Sequence, residues 1–456
     1  MPALTERTTE RLPRTNHNSP HAGNGAARAA FSGPFFWLTA FYFVYCARPE
    51  DWIPGLRYIP MAKITAIAAL IGLLSSAGKT ERSIRNLPRE AWYLLALMGW
   101  LCLSAVFSPV WQGGALFHTI DFAKVFVAWV LTYLLVTSFQ KLRRIIFVQS
   151  ASVAIITLVS ILKGYHMPRL EGVIGGIYNN PNDLAFAIVL SIPFCLAFLI
   201  SAKNVLHKIG WLAAMLVMGT ALLLTASRAG MIDMACAGIV VLWHMGVKGR
   251  RFHLIVGTAA LGVLLLLVAG GRVKDRFAAI SGDELNTEVE GKAYSSYEAR
   301  IYLMQKSLDG IAHYPIFGLG VNNFTSYSGI WHEVHMTYLE IAVEGGVPAF
   351  VLFMLFFYRG FRNLARLRKN KKLTTDERLF VGALHSSLIG FAVGACFAPE
   401  AYQFFPYFAV AYTSVLLALV AERGDMPTSK RPALSSGFYR NDYVRDREKK
   451  PVITVG

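Results

Sequence analysis

Residues 183–201 have the sequence DLAFAIVLSIPFCLAFLIS, an apolar run whose one charged residue stands at its beginning. About 20 apolar residues in a helix cross the hydrocarbon core of a bilayer, so this run is long enough to span one. Because lipid offers no hydrogen-bonding partner, a spanning backbone must satisfy its own polar groups. The run therefore predicts a transmembrane helix, and a second apolar run follows at about 209–225.

Similar runs recur along most of the chain, whereas the alternating ten-residue strands of a membrane barrel are absent from the sequence. We therefore predict an all-α, polytopic membrane protein with about twelve transmembrane helices. The predicted spans are approximately 33–46, 60–77, 91–107, 115–137, 145–162, 183–201, 209–225, 229–246, 252–270, 334–357, 379–397 and 405–421.

The composition agrees with a membrane protein. Of the 456 residues, 54% are hydrophobic and 16% are charged, and the mean hydropathy is +0.43. The net charge of +17 does not indicate nucleic-acid binding, because the basic residues lie in loops and tails beside the apolar runs. No two cysteines have the spacing of a metal site, and we interpret all five as small core residues: Cys46, Cys102, Cys195, Cys236 and Cys396.

The basic residues also predict the orientation. Under a twelve-span topology, every short loop on the N-terminal side carries lysine or arginine, whereas the opposite loops 108–114 and 398–404 carry none. By the positive-inside rule, both termini and the basic loops, including 358–378, are expected to be cytoplasmic. We expect residues 1–30 and 422–456 to be disordered basic tails that flank a transmembrane domain at 31–421.

One long loop, about 271–333, is then expected on the outer side of the membrane, opposite the termini. Within it, Ile301, Met304, Leu308 and Ile311 recur at helical spacing. This stripe predicts an amphipathic helix on the outer surface of the bundle, with Arg300 at its start.

Four polar features remain, and all of them fall on the predicted outer face. Arg228, in Ser227-Arg-Ala-Gly230, stands between two spans, where a charge needs an anion or a wet cavity. A guanidinium group suits phosphate or pyrophosphate oxygens, although an arginine that extends to the interface is the alternative. Arg300 is a second candidate for that role. Its neighbours in the loop are competitors: Arg272, Lys274 and Arg276.

The third feature is His332-Glu-Val-His335. A histidine is a natural general base near neutral pH, so His335 is a candidate base and His332 a candidate substrate-binding residue. A histidine satisfied at the membrane interface is the alternative, and the sequence shows no third ligand that would make the pair a metal site. The fourth is Tyr178-Asn-Asn-Pro-Asn-Asp183. Here Asn182 or Asp183 is expected to cap a helix, with a polar wall for sugar hydroxyls, formed by Asn180 and Asn182, as the alternative.

At these residues the chain resembles the O-antigen ligase and polymerase superfamily of bacterial surface glycan assembly. The matching pieces are Asn179-Asn-Pro-Asn182, Thr225-Ala-Ser-Arg-Ala-Gly230, the segment 300–324 with Pro-Ile-Phe-Gly-Leu-Gly, and His335-Met-Thr-Tyr-Leu-Glu-Ile-Ala-Val-Glu-Gly-Gly346. The early Tyr45-Cys-Ala-Arg-Pro-Glu-Asp-Trp52 looks like the branch of O-glycosylation ligases associated with exosortase systems.

The resemblance implies a metal-independent, inverting glycosyltransferase of the inner membrane that needs no cofactor. Its donor is a glycan on undecaprenyl pyrophosphate, and its acceptor is a glycan or lipid-linked hydroxyl at the periplasmic face. Arg228 and Arg300 match the family's pyrophosphate-holding arginines, and His335 matches the histidine near the acceptor. Ligase and polymerase remain alternatives. A third is a transporter or flippase for lipid-linked sugars, for which Asp121, Lys124 and Asp233 are the charged candidates within spans.

Overall fold

The computed structural model describes residues 33–75, 82–164, 166, 169–172, 178, 180–264, 267, 287–330 and 332–425. No strand occurs in these ranges, and the described part of each of the twelve predicted spans overlaps a helix, which confirms the all-α prediction. The long helices are α1 (Pro34–Ala47), α2 (Met61–Ser75), α3 (Arg89–Val106), α4 (Gln112–Leu135), α5 (Phe139–Gly164), α6 (Pro181–Ser201), α7 (Val205–Leu224), α8 (Arg228–Val247), α9 (Phe252–Leu264), α10 (Thr287–His313), α11 (Thr337–Lys369), α12 (Thr375–Gly394) and α13 (Phe404–Glu422).

Seven of these helices are long and apolar enough to cross a membrane on length and composition alone: α4, α5, α6, α7, α8, α11 and α13. Three others, α1, α2 and α9, are apolar but have fewer than 18 described residues. Helices α6 and α13 form the centre of the bundle, since 78% of the apolar stretch in each is buried, compared with 28% in α7. The protein is therefore a multi-pass helical membrane protein built around α6 and α13.

Helix α11 is longer than predicted. The apolar run suggested an end at about 357, but the helix continues to Lys369. The added turns contain basic residues that end an apolar pattern without breaking a helix, and the backbone leaves the helix only at Asn370. Arg359, which we expected in a loop, is instead buried, and its Nε donates to Oε1 of Glu90 on α3 (3.1 Å).

The two ends of the bundle differ chemically. At one end, basic residues are held by ion pairs, as in Arg143 Nη1 to Asp376 Oδ2 (2.8 Å) and Arg82 Nε to Glu422 Oε1 (2.8 Å). This is the end predicted to be cytoplasmic. The opposite end carries α10, the residues before α11 and the N-termini of α6 and α8. All four polar features of the sequence therefore lie at this second end.

The predicted outer loop contains α10, whose bounds correct two expectations. The helix begins at Thr287, so Arg300 lies near its middle instead of at its start. Leu303, Ser307 and Gly310 form its buried face, whereas Met304 and Leu308 of the predicted apolar stripe are exposed. Only part of the stripe therefore packs on the bundle, since Ile311 lies against the cluster that contains Leu303 and Phe324, and Ile301 is half-buried. Arg272, Lys274 and Arg276 lie outside the described residues.

Candidate functional site

Arg228 is positioned by contacts between the beginnings of α6 and α8. Ser227 is the N-cap of α8, because its Oγ accepts a hydrogen bond from the backbone N–H of Gly230 (3.1 Å). The same Oγ donates to Oδ1 of Asn182 in the first turn of α6 (2.8 Å). The two helix N-termini are thus joined, and the exposed Arg228 stands at the first helical position, beside the positive end of the helix dipole.

Gly230 explains why the motif needs a glycine. A Cβ at this position would lie 2.7 Å from Cβ of Ala185 on α6, closer than real Cβ atoms approach one another. Helices α6 and α8 therefore pack at a distance that only a glycine allows. In Ser227-Arg-Ala-Gly230, the serine caps the helix that carries Arg228, and the glycine allows that helix to pack closely on α6.

Arg300 on α10 lies close enough to Arg228 for the two positive charges to repel. Burial lowers the pKa of Arg300 below its usual value, and the charge of Arg228 lowers it further. Nε of Arg300 is buried and has no hydrogen-bond partner. Within the described ranges, neither arginine forms an ion pair with a carboxylate. Two neighbouring guanidinium groups that lack a carboxylate partner in the described part of the chain have the chemistry that a multiply charged anion requires.

His335 is half-buried beside Arg300. Burial, the charge of Arg300 and the charge of His332 together lower the pKa of His335 to about 4. The imidazole is therefore neutral at neutral pH, and its buried Nδ1 has no hydrogen-bond partner. A neutral imidazole can accept a proton, as a general base must. The exposed His332 ring is 6.4 Å from the His335 ring, measured between centroids.

Two glycine-containing segments, residues 315–320 and 344–347, are in direct contact. Gly346 kinks α11 with a φ of 74°, and a Cβ there would lie 2.0 Å from the carbonyl oxygen of Ile316. Backbone hydrogen bonds join the same segments, since the N–H of Gly320 donates to the carbonyl of Glu344 (2.8 Å) and that of Val347 to Pro315 (2.8 Å). Arg300 lies on α10, and His335 directly precedes α11. This contact therefore fixes the C-terminal end of α10 against α11.

Several carboxyl groups cluster at the same end of the bundle, among them the buried Glu340 and Glu400, and the sequence did not single them out as a group. The pKa of Glu400 is raised by burial first, and then by the nearby charges of Asp183, Glu340 and Glu333. Burial also raises the pKa of Glu333, which stands between the two histidines of His332-Glu-Val-His335. These residues come from three separate parts of the chain. The only signal for them was that Glu333 and Glu400 stand in otherwise apolar or uncharged outer segments.

A polar cavity adjoins these carboxyl groups, and a larger cavity lies next to it. The polar cavity of about 200 Å³ is lined by Glu333, Glu340, Asn322 and His118, among others. The larger cavity of about 710 Å³ lies between α1, α2 and α4 and has a mostly apolar lining. The two share four lining residues: Asp121, Tyr402, Gln403 and Phe404. The two cavities are therefore adjacent, and the polar one reaches Glu333, two residues before His335.

Two residues of the predicted polar wall have structural roles. Asn180, not Asn182 or Asp183, caps α6, because its Oδ1 accepts from the N–H of Asn182 (3.0 Å). Asn182 is held by Ser227.

Met336 is the N-cap of α11 and makes no side-chain cap bond. In the described part of the chain, no group of three or more His, Cys, Asp or Glu residues is arranged to hold a metal ion.

Comparison with known proteins identifies the central part of the chain. Residues 213–354 match a family model described as O-antigen ligase. No curated protein matches the chain. The matched segment contains Arg228, Arg300 and His335, which the structure brings to one end of a helical bundle. Residues 213–354 are therefore similar to the O-antigen ligase family, which supports the resemblance of the chain to the O-antigen ligase and polymerase superfamily.

Proposed function

We propose that this chain is an inner-membrane glycosyltransferase that moves a glycan from undecaprenyl pyrophosphate to an acceptor hydroxyl at the periplasmic face. One observation carries the proposal. Arg228 and Arg300 lie together without a carboxylate partner in the described residues, directly beside a neutral His335. The paired cations suit the anionic leaving group of this reaction, and the neighbouring base suits the proton of the acceptor hydroxyl.

The arginines serve the donor. The bond between the anomeric carbon and the pyrophosphate oxygen breaks, and the electron pair stays on the pyrophosphate. Fixed guanidinium groups stabilise the charge that builds there, with support from the N-terminus of α8 beside Arg228. The pyrophosphate bond supplies the driving force, so we expect no requirement for ATP. The arginines hold the negative charge that a metal ion holds in other transferases, so we expect no metal requirement either.

His335 serves the acceptor. As the acceptor oxygen attacks the anomeric carbon from the face opposite the pyrophosphate, its proton passes to the neutral imidazole. One displacement of this kind inverts the anomeric centre. The bound pyrophosphate also opposes the field of Arg300, which lowers the pKa of His335 in the free protein. Donor binding therefore raises that pKa and makes His335 a stronger base when it is needed.

The adjacent cavities support a lipid-linked acceptor. The cavity of about 710 Å³ is apolar where α1, α2 and α4 face the bilayer, and it becomes polar towards Tyr402 and Gln403. A lipid chain fits the apolar part, and the attached sugar fits the polar cavity beside Glu333. The alternative is a flippase. Its charged candidates Asp121 and Lys124 bind each other and line this same cavity. We assign them to acceptor binding.

The test uses the purified protein in lipid nanodiscs with an undecaprenyl-pyrophosphate-linked glycan and a lipid extract that contains the acceptor. We expect glycan on the acceptor and free undecaprenyl pyrophosphate, in the presence of EDTA and without nucleotide. His335→Ala should abolish transfer, whereas the exposed His313→Ala, near the end of α10, is the matched control. Movement of the intact donor across the bilayer of sealed proteoliposomes, without its consumption, would support the flippase and refute the transferase.

A further inference from the structure

A second cluster of cations lies at the opposite end of the bundle, about 30 Å from Arg228, since α8 has 20 residues and a helix rises 1.5 Å per residue. Here a cavity of about 300 Å³ lies between the end of α8, the turn before α9 and the connection from α11 to α12. Its cationic lining residues are Lys248, Arg251, Arg368 and Arg378, and no carboxylate lines it.

The carboxylates at this end are already paired with other cations. Asp376 binds Arg143 (2.8 Å), and Glu377 binds Arg423 (2.8 Å) while it also completes the capping box of α12. Asp425 contacts Lys372 at 3.6 Å. Across the described residues, the four cations of the cavity therefore form no ion pair. A concentration of unpaired positive charge at a membrane surface favours an anion.

An apolar groove of about 510 Å³ continues from this cavity along α8. The two spaces share His244 and Arg368, and the groove adds apolar side chains such as Ile239, Trp243 and Ile255. Ile239 and Trp243 are 69% and 52% exposed on a helix that is long and apolar enough to cross a membrane, so their side chains are free to contact a hydrocarbon chain. Nζ of Lys248 lies 5.8 Å from the centroid of the Trp243 ring, at the boundary between the two spaces.

Hydrogen bonds link Arg368 and His244, the two residues that line both spaces, through His385. Nη1 of Arg368 is 3.5 Å from Nε2 of His385, and Nδ1 of His385 is 3.0 Å from Nε2 of His244. Since a guanidinium group only donates, His385 accepts at Nε2 and donates from Nδ1 to His244. The remaining N–H of His244 is then a donor. Arg368 is thereby held where the cationic cavity meets the apolar groove.

We propose that these two spaces form one binding site for an anionic phospholipid of the leaflet beside the basic loops. The phosphate lies among Lys248, Arg251, Arg368 and Arg378, and a hydrocarbon chain lies in the groove along α8. A soluble phosphate would use only the first space. The lipid bridges α8, α11 and α12, so its binding stabilises the folded bundle.

The experiment measures the thermal unfolding midpoint of the purified protein in detergent with added dioleoyl phosphatidylglycerol, dioleoyl phosphatidylcholine or inorganic phosphate. We expect phosphatidylglycerol alone to raise the midpoint, by about 3 °C or more at saturation. Arg251→Gln with Arg368→Gln should weaken its binding about tenfold or more, because two charged hydrogen-bond donors are lost.

Arg362→Gln with Arg366→Gln is the matched control, since both arginines are exposed on α11 and neither lines a wall of these cavities. This variant should keep the full response. Equal stabilisation by phosphatidylcholine or by inorganic phosphate would overturn the proposal, as would an unchanged response in the Arg251 and Arg368 variant. If that variant does not fold, the comparison of the three additives on the unaltered protein still decides the question.

Discussion

Replacing Arg300 separates two effects of one side chain. In the proposed mechanism Arg300 offers a guanidinium fork to the donor, and in the structure its charge lowers the pKa of His335. Loss of one fixed donor aimed at developing negative charge lowers kcat about 10²–10³-fold, or about 2.7–4 kcal/mol. We expect Arg300→Ala to fall in this range, because Nε of Arg300 is buried and free of other partners.

The second effect appears in the pH dependence. In the free protein, His335 has a pKa of about 4, with burial as the largest cause and Arg300 as the next. The base form therefore persists down to about pH 4, and kcat/KM falls only below that. Removing the positive charge of Arg300 raises the pKa of His335 towards the ordinary value. The acidic limb of the profile should then move to higher pH in Arg300→Ala.

Two further variants serve as controls for this experiment: Arg300→Lys and Lys306→Ala. Lysine keeps the charge but loses the planar fork, so we expect a partial loss of rate and an acidic limb that hardly moves. Lys306 lies on the same helix and serves as a charge-removal control. The assay is transfer in nanodiscs between pH 4 and pH 8. An Arg300→Ala acidic limb identical to that of the unaltered protein, or an equal loss in Lys306→Ala, would refute the reasoning.

Three further predictions concern stability, and thermal unfolding in detergent measures each one. Gly346→Ala should destabilise by about 3 kcal/mol or more through strain and a backbone clash, whereas Gly210→Ala, with open space around its Cβ, should be neutral or stabilising. Ser227→Ala should cost about 0.5–2 kcal/mol through loss of the cap of α8, and it should also weaken donor binding. Glu90→Ala should cost about 3–5 kcal/mol because it leaves Arg359 buried without its partner, and Glu90→Leu with Arg359→Met should recover most of this loss.

Much of the fold was predictable because the bilayer imposes one simple rule. Each apolar run of sufficient length became a helix, and the basic residues collected at one end. The end of α11 was not predictable from hydropathy, since a helix continues through charged residues that end an apolar run. The buried pair of Arg359 and Glu90 illustrates this, because its partners are 269 positions apart in the sequence.

The site was predictable only in part. The sequence singled out Arg228, Arg300 and His335 individually, and the structure places them together. The sequence did not single out Glu333 and Glu400, because these residues stand far apart along the chain and come close together only in the folded protein. The functional roles of all these residues remain predictions, as does assignment to the exosortase-associated branch.

The most direct test of the central claim is to measure the glycan carried on undecaprenyl pyrophosphate in a strain that lacks this gene. The account predicts a change that the unaltered gene reverses and the His335→Ala gene does not. Long chains stranded on the carrier would identify a ligase, and single repeats without polymer would identify a polymerase. Carrier-linked glycan that is unchanged in amount, length and membrane face would contradict the proposed transfer reaction.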